Sequence, residues 1–188
     1  MRLKNEHILK LQHDVAINRS QSAYKELFIN FYQSLINFAV TLVLAEEVAE
    51  EIYSDTMLKI WLMEERLNDV EDLKQYLFKM VRNAALSHLK KSAKGTFTDL
   101  DSTDLIVFSA RSPEDMMLTT EFQNQISAAV LSLPPQCQLV YRLIREDEFN
   151  YRQTAELLDF SVNTVERHMN SALKKIVGYL KPYVISSH

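Results

Sequence analysis

The chain has 188 residues, of which 47% are apolar, with only two glycines, four prolines and a formal net charge of −4. So few glycines leave little scope for the tight turns of an all-β fold, and the single Cys137 excludes an internal disulfide and argues against a cysteine-built metal site. No apolar run approaches the roughly 20 residues of a membrane-spanning helix, and the start lacks a secretory signal core, so we expect a cytoplasmic protein without direct membrane insertion.

Charged residues are segregated along the chain. Residues 79–94 carry five Lys or Arg and no acid, and residues 46–55 carry five acids and no base. Residues 99–115 carry five acids against the single Arg111. A solvated surface usually mixes signs, so we interpret these blocks as separate contact surfaces. The net charge argues against a protein that coats nucleic acid nonspecifically, but a local basic surface can still bind DNA.

Apolar residues recur at spacings of three and four from about Ser22 to Lys91, which predicts a run of amphipathic helices. The first of them contains Tyr24, Leu27 and Phe31. The second runs from about residue 46 to residue 66. A third follows the polar break LNDVED and ends at the basic stretch KKSAK. We therefore predict a helical first domain over residues 1–95.

The second half of the chain is also predicted to be helical. Residues 96–115 show no clear period and are predicted to be an acidic linker. Periodicity resumes near Asp115 and stops at Pro134 and Pro135. Further helices are predicted over residues 136–146, over YRQTAELL, and from about residue 162 to residue 180. The predicted fold class is all-α, with small helical domains at 1–95 and 116–188 joined by the linker 96–115.

The segment YRQTAELLDFSVNTVERHMNSALKKI, residues 151–176, has the pattern of a helix-turn-helix. Ala155 and Leu158 are expected on the inner face of a short helix, and Ser161 can cap the next one. In that helix Val162, Val165, Met169 and Ala172 are expected to pack inward. The outward side chains suit contacts to base edges or phosphates: Asn163, Thr164, Glu166, Arg167, Asn170, Ser171 and Lys174. An ordinary helical hairpin with a solvated polar face is the alternative.

With LPPQCQLVY upstream, this segment resembles region 4 of extracytoplasmic-function (ECF) sigma factors, and TVERHMNSAL is similar to the iron-citrate-type variant of Bacteroidetes. Further upstream, AEEIYSDTMLKIW at 49–61 resembles region 2.2, and YLFKMVRNAALSHLKK at 76–91 resembles regions 2.3 and 2.4. The resemblance covers roughly residues 20–180. It implies an alternative sigma factor of the sigma-70 family that binds core RNA polymerase, recognises −35 and −10 promoter elements and promotes DNA melting for transcription initiation.

The resemblance also implies a role for each surface. In the family, region 2.2 docks on the clamp helices of the polymerase β′ subunit, and region 4 docks on the β flap. The docking residues here would be Glu47, Glu50, Glu51, Ser54, Asp55 and Lys59, with Ser54 where glutamine is common. A solvated acidic helix face is the alternative.

Binding of −10 DNA would fall to Tyr76, Phe78, Lys79, Arg82, Asn83, Lys90 and Lys91. Asn83 matches the family position that helps capture an unstacked base, and residues 64–72 match the loop that forms its pocket. Basic side chains can follow phosphates, and aromatic ones can stack on displaced bases. Tyr76 and Phe78 are equally open to interpretation as core aromatics.

For the acidic linker, composition indicates a disordered spacer, whereas the family implies a segment that threads the polymerase channel later taken by RNA. The family also implies control by an anti-sigma factor, often membrane-anchored. We find no catalytic constellation, metal site or cofactor motif, because the histidines are scattered and two glycines cannot build a phosphate loop. We therefore expect a protein that is not an enzyme.

Two functions from other classes remain open. A helix-turn-helix regulator with a response-regulator type of output domain would need an N-terminal receiver of alternating strands and helices, where this sequence has continuous helical periodicity. A helical adaptor or anti-sigma protein without DNA binding would need neither the acid-free stretch 79–94 nor a polar recognition face.

Overall fold

The computed structural model describes residues 5–93 and 121–185, and within those ranges it contains helices and no strand. The helices group into two compact units, one on each side of the gap. The all-α prediction is confirmed. The predicted domain boundaries at residues 95 and 116, together with the linker and its path, lie outside the described residues.

The first unit consists of four α-helices and a 3-10 helix. These are α1 (Asn5–Ala16), α2 (Gln21–Val43), α3 (Glu46–Leu62), the 3-10 helix Glu64–Asp69, and α4 (Leu73–Ala93). The Ser20 side chain caps α2 by accepting from the backbone N–H of Ala23 at 3.3 Å. Leu44 ends α2 in the left-handed conformation, with φ of 63°. The predicted second helix is four residues too long, because the chain tightens into the 3-10 helix after Met63.

Helix α2 is the centre of this unit and packs against α1, α3 and α4. Leu27 and Leu35 on α2, Met57 on α3 and Leu77 on α4 have no exposed surface. The Tyr53 hydroxyl donates to the main-chain carbonyl of Phe28, and burial raises the pKa of this tyrosine. Burying aromatic and branched side chains from all sides of one helix supplies most of the stability of such a bundle.

Among the described helices, α2 is long and apolar enough by length and composition to cross a membrane, with a mean hydropathy of 1.2. The sequence expectation concerned uninterrupted apolar runs, and α2 reaches this average although polar residues such as Lys25, Glu26 and Asn30 interrupt it. Half of its most apolar window is buried inside the unit. A core helix passes the same test, and the packing described above accounts for the apolar character of α2.

Helix α1 was not predicted from the sequence. Its outer face is polar apart from the exposed Leu9, and its inner face buries Ile8, Leu11, Gln12 and Val15. These four positions do follow helical spacing, and they were the signal that could have identified the helix. Gln12 is one of the few buried polar side chains in the described ranges, and its contacts are considered below.

The second unit contains four helices: α5 (Glu121–Leu131), α6 (Pro135–Tyr141), which continues as a π-helical turn to Glu146, α7 (Tyr151–Leu158) and α8 (Val162–Ile185). One part of its core is a cluster formed by Ala129, Val130, Leu133, Cys137, Ala172 and Ile176. Asn150 and Gln153 form a reciprocal capping box at the start of α7, with bonds of 2.9 and 3.0 Å. The capped start fixes where α7 begins, and therefore how it presents the turn that follows.

Candidate nucleic-acid and protein-binding surfaces

The turn between α7 and α8 is tightly defined. Asp159 ends α7 in the left-handed conformation, with φ of 55°, which aspartate tolerates better than most residues because its short polar side chain bonds locally. The Phe160 N–H donates to the Ala155 carbonyl at 2.9 Å, and the Ser161 hydroxyl accepts from the Thr164 N–H at 3.1 Å. The predicted turn and the Ser161 cap are thus present.

The inner face of α8 is nearly as predicted. Val165, Met169 and Ala172 are buried, and so are Ala155 and Leu158 of α7. Val162 was expected to pack inward, but 41% of its surface is exposed. It is the first residue of the helix, where the chain has only just left the turn. The helix-turn-helix core therefore begins at Val165.

The outer face of α8 brings six of the predicted DNA-binding residues together on one shallow surface, which we call the α8 face: Asn163, Glu166, Arg167, Asn170, Ser171 and Lys174. Thr164 does not belong to it. Its hydroxyl lies 2.8 Å from the Ser161 hydroxyl and takes part in the cap. The α8 face combines two amides, a carboxylate, a guanidinium and an ammonium, which together can donate to and accept from base edges.

His168 lies behind the α8 face and packs inside the unit. Its Nδ1 is 3.7 Å from the Cys137 Sγ, and its ring lies 5.8 Å from that of Phe160, centroid to centroid. Burial and, secondarily, the charge of Arg167 lower the pKa of His168, which favours the neutral imidazole. A neutral, packed imidazole supports the turn and is poorly suited to hold a phosphate.

All six residues predicted to bind polymerase are exposed on α3: Glu47, Glu50, Glu51, Ser54, Asp55 and Lys59. Glu50 also accepts from the Tyr32 hydroxyl at 3.1 Å. Sequence reasoning missed two apolar side chains on the same face, Leu58 and Leu62, with 51% and 60% of their surface exposed. Leu58 lies seven residues after Glu51, and Leu62 lies seven residues after Asp55. Residues seven apart lie on the same side of a helix, and this spacing was the signal that could have identified the two leucines.

Helix α4 presents some of the residues predicted for −10 DNA and buries one of them. Asn83, Lys90 and Lys91 are exposed, and Lys79 and Arg82 are partly exposed. Tyr76 is partly buried, with its hydroxyl 3.6 Å from the Met63 Sδ. The prediction that Phe78 stacks on DNA is corrected by its burial. Its side chain has no exposed surface, and its ring centroid lies 5.1 Å from that of Phe38.

The two charged helices of the first unit share one groove. Glu51, Asp55 and Lys59 of α3 line one wall, and Asn83 and Lys91 of α4 line the other. The sequence interpretation treated the acidic and basic blocks as separate surfaces. Periodicity identifies which side of a helix is exposed, but it does not identify the helix that lies beside it. The structure therefore makes the acidic face of α3 and the Asn83 side of α4 neighbours.

Comparison with known proteins identifies two family models in this chain. Residues 27–95 match the model described as Sigma-70 region 2, and residues 123–176 match the model described as Sigma-70, region 4. The first match runs from within α2 to the end of α4, and the second contains the α7–α8 turn and the whole α8 face. The two matches thus lie in the two compact units, in the order in which the regions are numbered.

Three similar proteins are one sigma factor related in sequence and two solved structures that share the fold. The RNA polymerase sigma factor YlaC of Bacillus subtilis is 20% identical over 155 residues, which cover 82% of this chain and 90% of YlaC. The sigma factor RpoE of Bartonella quintana, solved with the anti-sigma factor NepR, superposes with a TM-score of 0.57 at 21% identity, covering 84% of this chain and 96% of that one. CnrH, solved with the cytosolic domain of CnrY, superposes with a TM-score of 0.55 at 16% identity, covering 94% of this chain and 98% of that one.

Proposed function

Because this chain belongs to the sigma-70 family and is a promoter-recognising alternative sigma factor of the ECF type, we propose specific roles for its exposed faces. The α8 face reads the −35 element, the outer side of α4 binds and opens the −10 element, and the exposed face of α3 docks on core RNA polymerase. The observation that carries these roles is the ordered pair of region matches, each falling on a unit with a polar or charged face.

The α8 face supports −35 recognition through its chemistry. Arg167 can donate two bonds to guanine, and Asn163 or Asn170 can pair with adenine in the same groove. Lys174, one turn further along, suits a phosphate, which positions the helix without specifying sequence. These side chains are exposed on a helix held by a capped turn, so little ordering is needed when DNA binds.

The outer side of α4 supports contact with −10 DNA through Lys79, Arg82, Asn83, Lys90 and Lys91. Phe78 has no part in it, because its ring is in the core. Opening a promoter requires unstacking a base at a cost of a few kcal/mol, which a pocket and a basic surface together can offset. We assign base capture to Asn83 with the loop of residues 64–72, and phosphate contacts to the lysines.

The exposed face of α3 combines acids with Leu58 and Leu62, and this mixture suits a protein partner better than a purely solvated face. The acids would orient the encounter with a basic partner, and the leucines would supply apolar area to bury. We propose that this face binds the clamp helices of β′, and that the second unit makes a further contact with the β flap.

Control by an anti-sigma factor is proposed because RpoE was solved with the anti-sigma factor NepR, and CnrH was solved with the cytosolic domain of CnrY. We propose the same class of partner here, membrane-anchored and covering the α3 and α8 faces. We further propose that this chain belongs to the iron-citrate-type variant, acts in the cytoplasm, and carries out no catalytic step and needs no cofactor of its own.

Transcription by core polymerase of the source organism, with and without the chain, on a pool of genomic fragments tests the whole proposal. Run-off products should appear only when the chain is present, and their start sites define shared −35 and −10 elements. A chain that neither binds polymerase nor adds start sites would contradict the assignment. Duplex DNA binding in that case would favour a conventional regulator, and its absence a helical adaptor.

Asn83→Ala is expected to reduce promoter opening by about fivefold, because losing one base contact costs roughly 1 kcal/mol or more. Binding to core polymerase should be unchanged, since α3 is untouched. Reactivity of unpaired thymines with permanganate measures opening, and a gel shift measures holoenzyme formation. Ser87→Ala, on the same side of α4 and in the same groove, is the matched control. Loss of polymerase binding in Asn83→Ala would rule out the assigned role.

A further inference from the structure

Gln12 connects α1 to a distant loop through two main-chain hydrogen bonds. Only 3% of its surface is exposed. Its Nε2 donates to the carbonyl oxygen of Leu67 at 2.8 Å and to that of Val70 at 2.7 Å, which lie 55 and 58 residues along the chain. A side-chain amide nitrogen carries two hydrogens, so both are committed to this loop.

The two hydrogen bonds from Gln12 hold the end of the 3-10 helix in place. Leu67 lies within it and has no exposed surface, and Val70 is its C-cap, where the backbone becomes extended. The last turn of α3, just before this segment, is held by Arg19, which donates from Nη1 to the Trp61 carbonyl at 2.6 Å and lies 4.1 Å over the Trp61 ring. Residues 64–72 are therefore held from α1 at Leu67 and Val70, and follow a helix end that Arg19 fixes.

The chemistry of Gln12 favours a role beyond filling the core. Its Oε1 is buried and accepts no hydrogen bond from the described residues. An unpaired buried oxygen is unfavourable, and a leucine would fill the same space without that loss. What the amide adds is the pair of bonds to the loop. What distinguishes glutamine from leucine at this position is therefore its hold on the backbone of residues 64–72.

The charge of the loop makes its shape important. Residues 64–72 carry five acids and only Arg66 as a base, and all of these charged side chains are exposed. Such a segment is repelled by DNA phosphates and gains nothing from counterion release. Any favourable contact it makes with promoter DNA must come from close fit to a base, which requires a defined backbone.

We propose that Gln12 is a positioning residue for base capture, and that it sets the sequence preference of the −10 contact by holding the backbone of residues 64–72. This inference rests on the proposed function, in which that loop and Asn83 form the base pocket. It adds α1 to the promoter-reading apparatus, although α1 lies before residue 27, where the family match begins.

The test compares Gln12→Leu with Val15→Ala, which trims a fully buried side chain of α1 and removes no hydrogen bond to the loop. Holoenzyme carrying each variant is assayed for permanganate reactivity on the cognate promoter and on promoters with each −10 base replaced in turn. Gln12→Leu should lower opening of the cognate promoter by about tenfold, within the range of one base contact, and change opening of the promoter that lacks the captured base by less than about twofold. Val15→Ala should lower both equally.

Equal losses on all promoters for Gln12→Leu, or unchanged opening and preference, would overturn the proposal. Gln12→Asn provides a milder second variant if leucine prevents folding, because its shorter amide reaches at most one of the two carbonyls. It should lose part of the base preference while keeping polymerase binding. Failure of the wild-type chain to open any promoter would instead contradict the proposed function, so the two failures are distinguishable.

Discussion

Replacing Asp55 with lysine is expected to lower the affinity of the chain for core RNA polymerase by about thirtyfold or more, because like charges placed opposite each other at an interface are strongly unfavourable. Asp55 is exposed on α3 and also lines the groove shared with α4. The reversed charge would repel a basic partner and disrupt the acidic surface around it. Titration of labelled chain with core polymerase, followed by fluorescence anisotropy, measures the change.

The matched control is Glu6→Lys, an identical change of charge on the exposed side of α1. It should leave polymerase affinity within about twofold of the wild type, since surface charges outside an interface contribute little. Raising the salt concentration should reduce the difference in polymerase affinity between the wild type and Asp55→Lys, because screening weakens the interaction between exposed charges. Equal losses in both variants would mean that net charge, and not the α3 face, governs binding.

Arg167→Ala is expected to cost about 1–3 kcal/mol in binding of the holoenzyme to its −35 element and to relax the preference at one base pair. The reason is geometric. Arg167 projects from the middle of the α8 face, between Asn163 and Asn170, where a guanidinium can pair with both acceptors of a guanine edge. Competition binding on duplexes with each −35 base replaced in turn measures both the loss and the change in preference.

Lys174→Ala is the control for a phosphate contact, because Lys174 is exposed on the same face and is assigned to a phosphate. It should weaken binding to all duplexes alike, by less than Arg167→Ala, and reduce the dependence of affinity on salt. If Arg167→Ala behaves in the same way, Arg167 contacts a phosphate, and base reading falls to the asparagines.

The helices and their exposed faces could be largely predicted from the sequence. Spacings of three and four located α2, α3 and α4, and the turn residues Asp159 and Ser161 separated α7 from α8. These signals are local, since each depends on residues within a few turns of one another. The exposed α8 face follows from the same periodicity, and the prediction missed only the capping role of Thr164 and the exposure of Val162.

What could not be predicted depends on contacts between helices. Leu77 and Phe78 are adjacent in the sequence and both fully buried, because α4 packs against both α2 and α3 and so has a wide inner face. A single-helix pattern cannot distinguish that arrangement from an aromatic residue on the DNA side. The bonds from Gln12 to Leu67 and Val70 span more than fifty residues, and no local pattern encodes them.

The two compact units each bury their own core, and this has a genetic consequence. A substitution that unfolds the second unit would leave the α3 face folded, and with it the main polymerase contact assigned here. Such a variant would bind core polymerase without directing it to a promoter. In a cell that also makes the wild-type chain, the two would compete for the same core polymerase. Damage to the second core would therefore be dominant, whereas damage to the first, which removes polymerase binding, would be recessive.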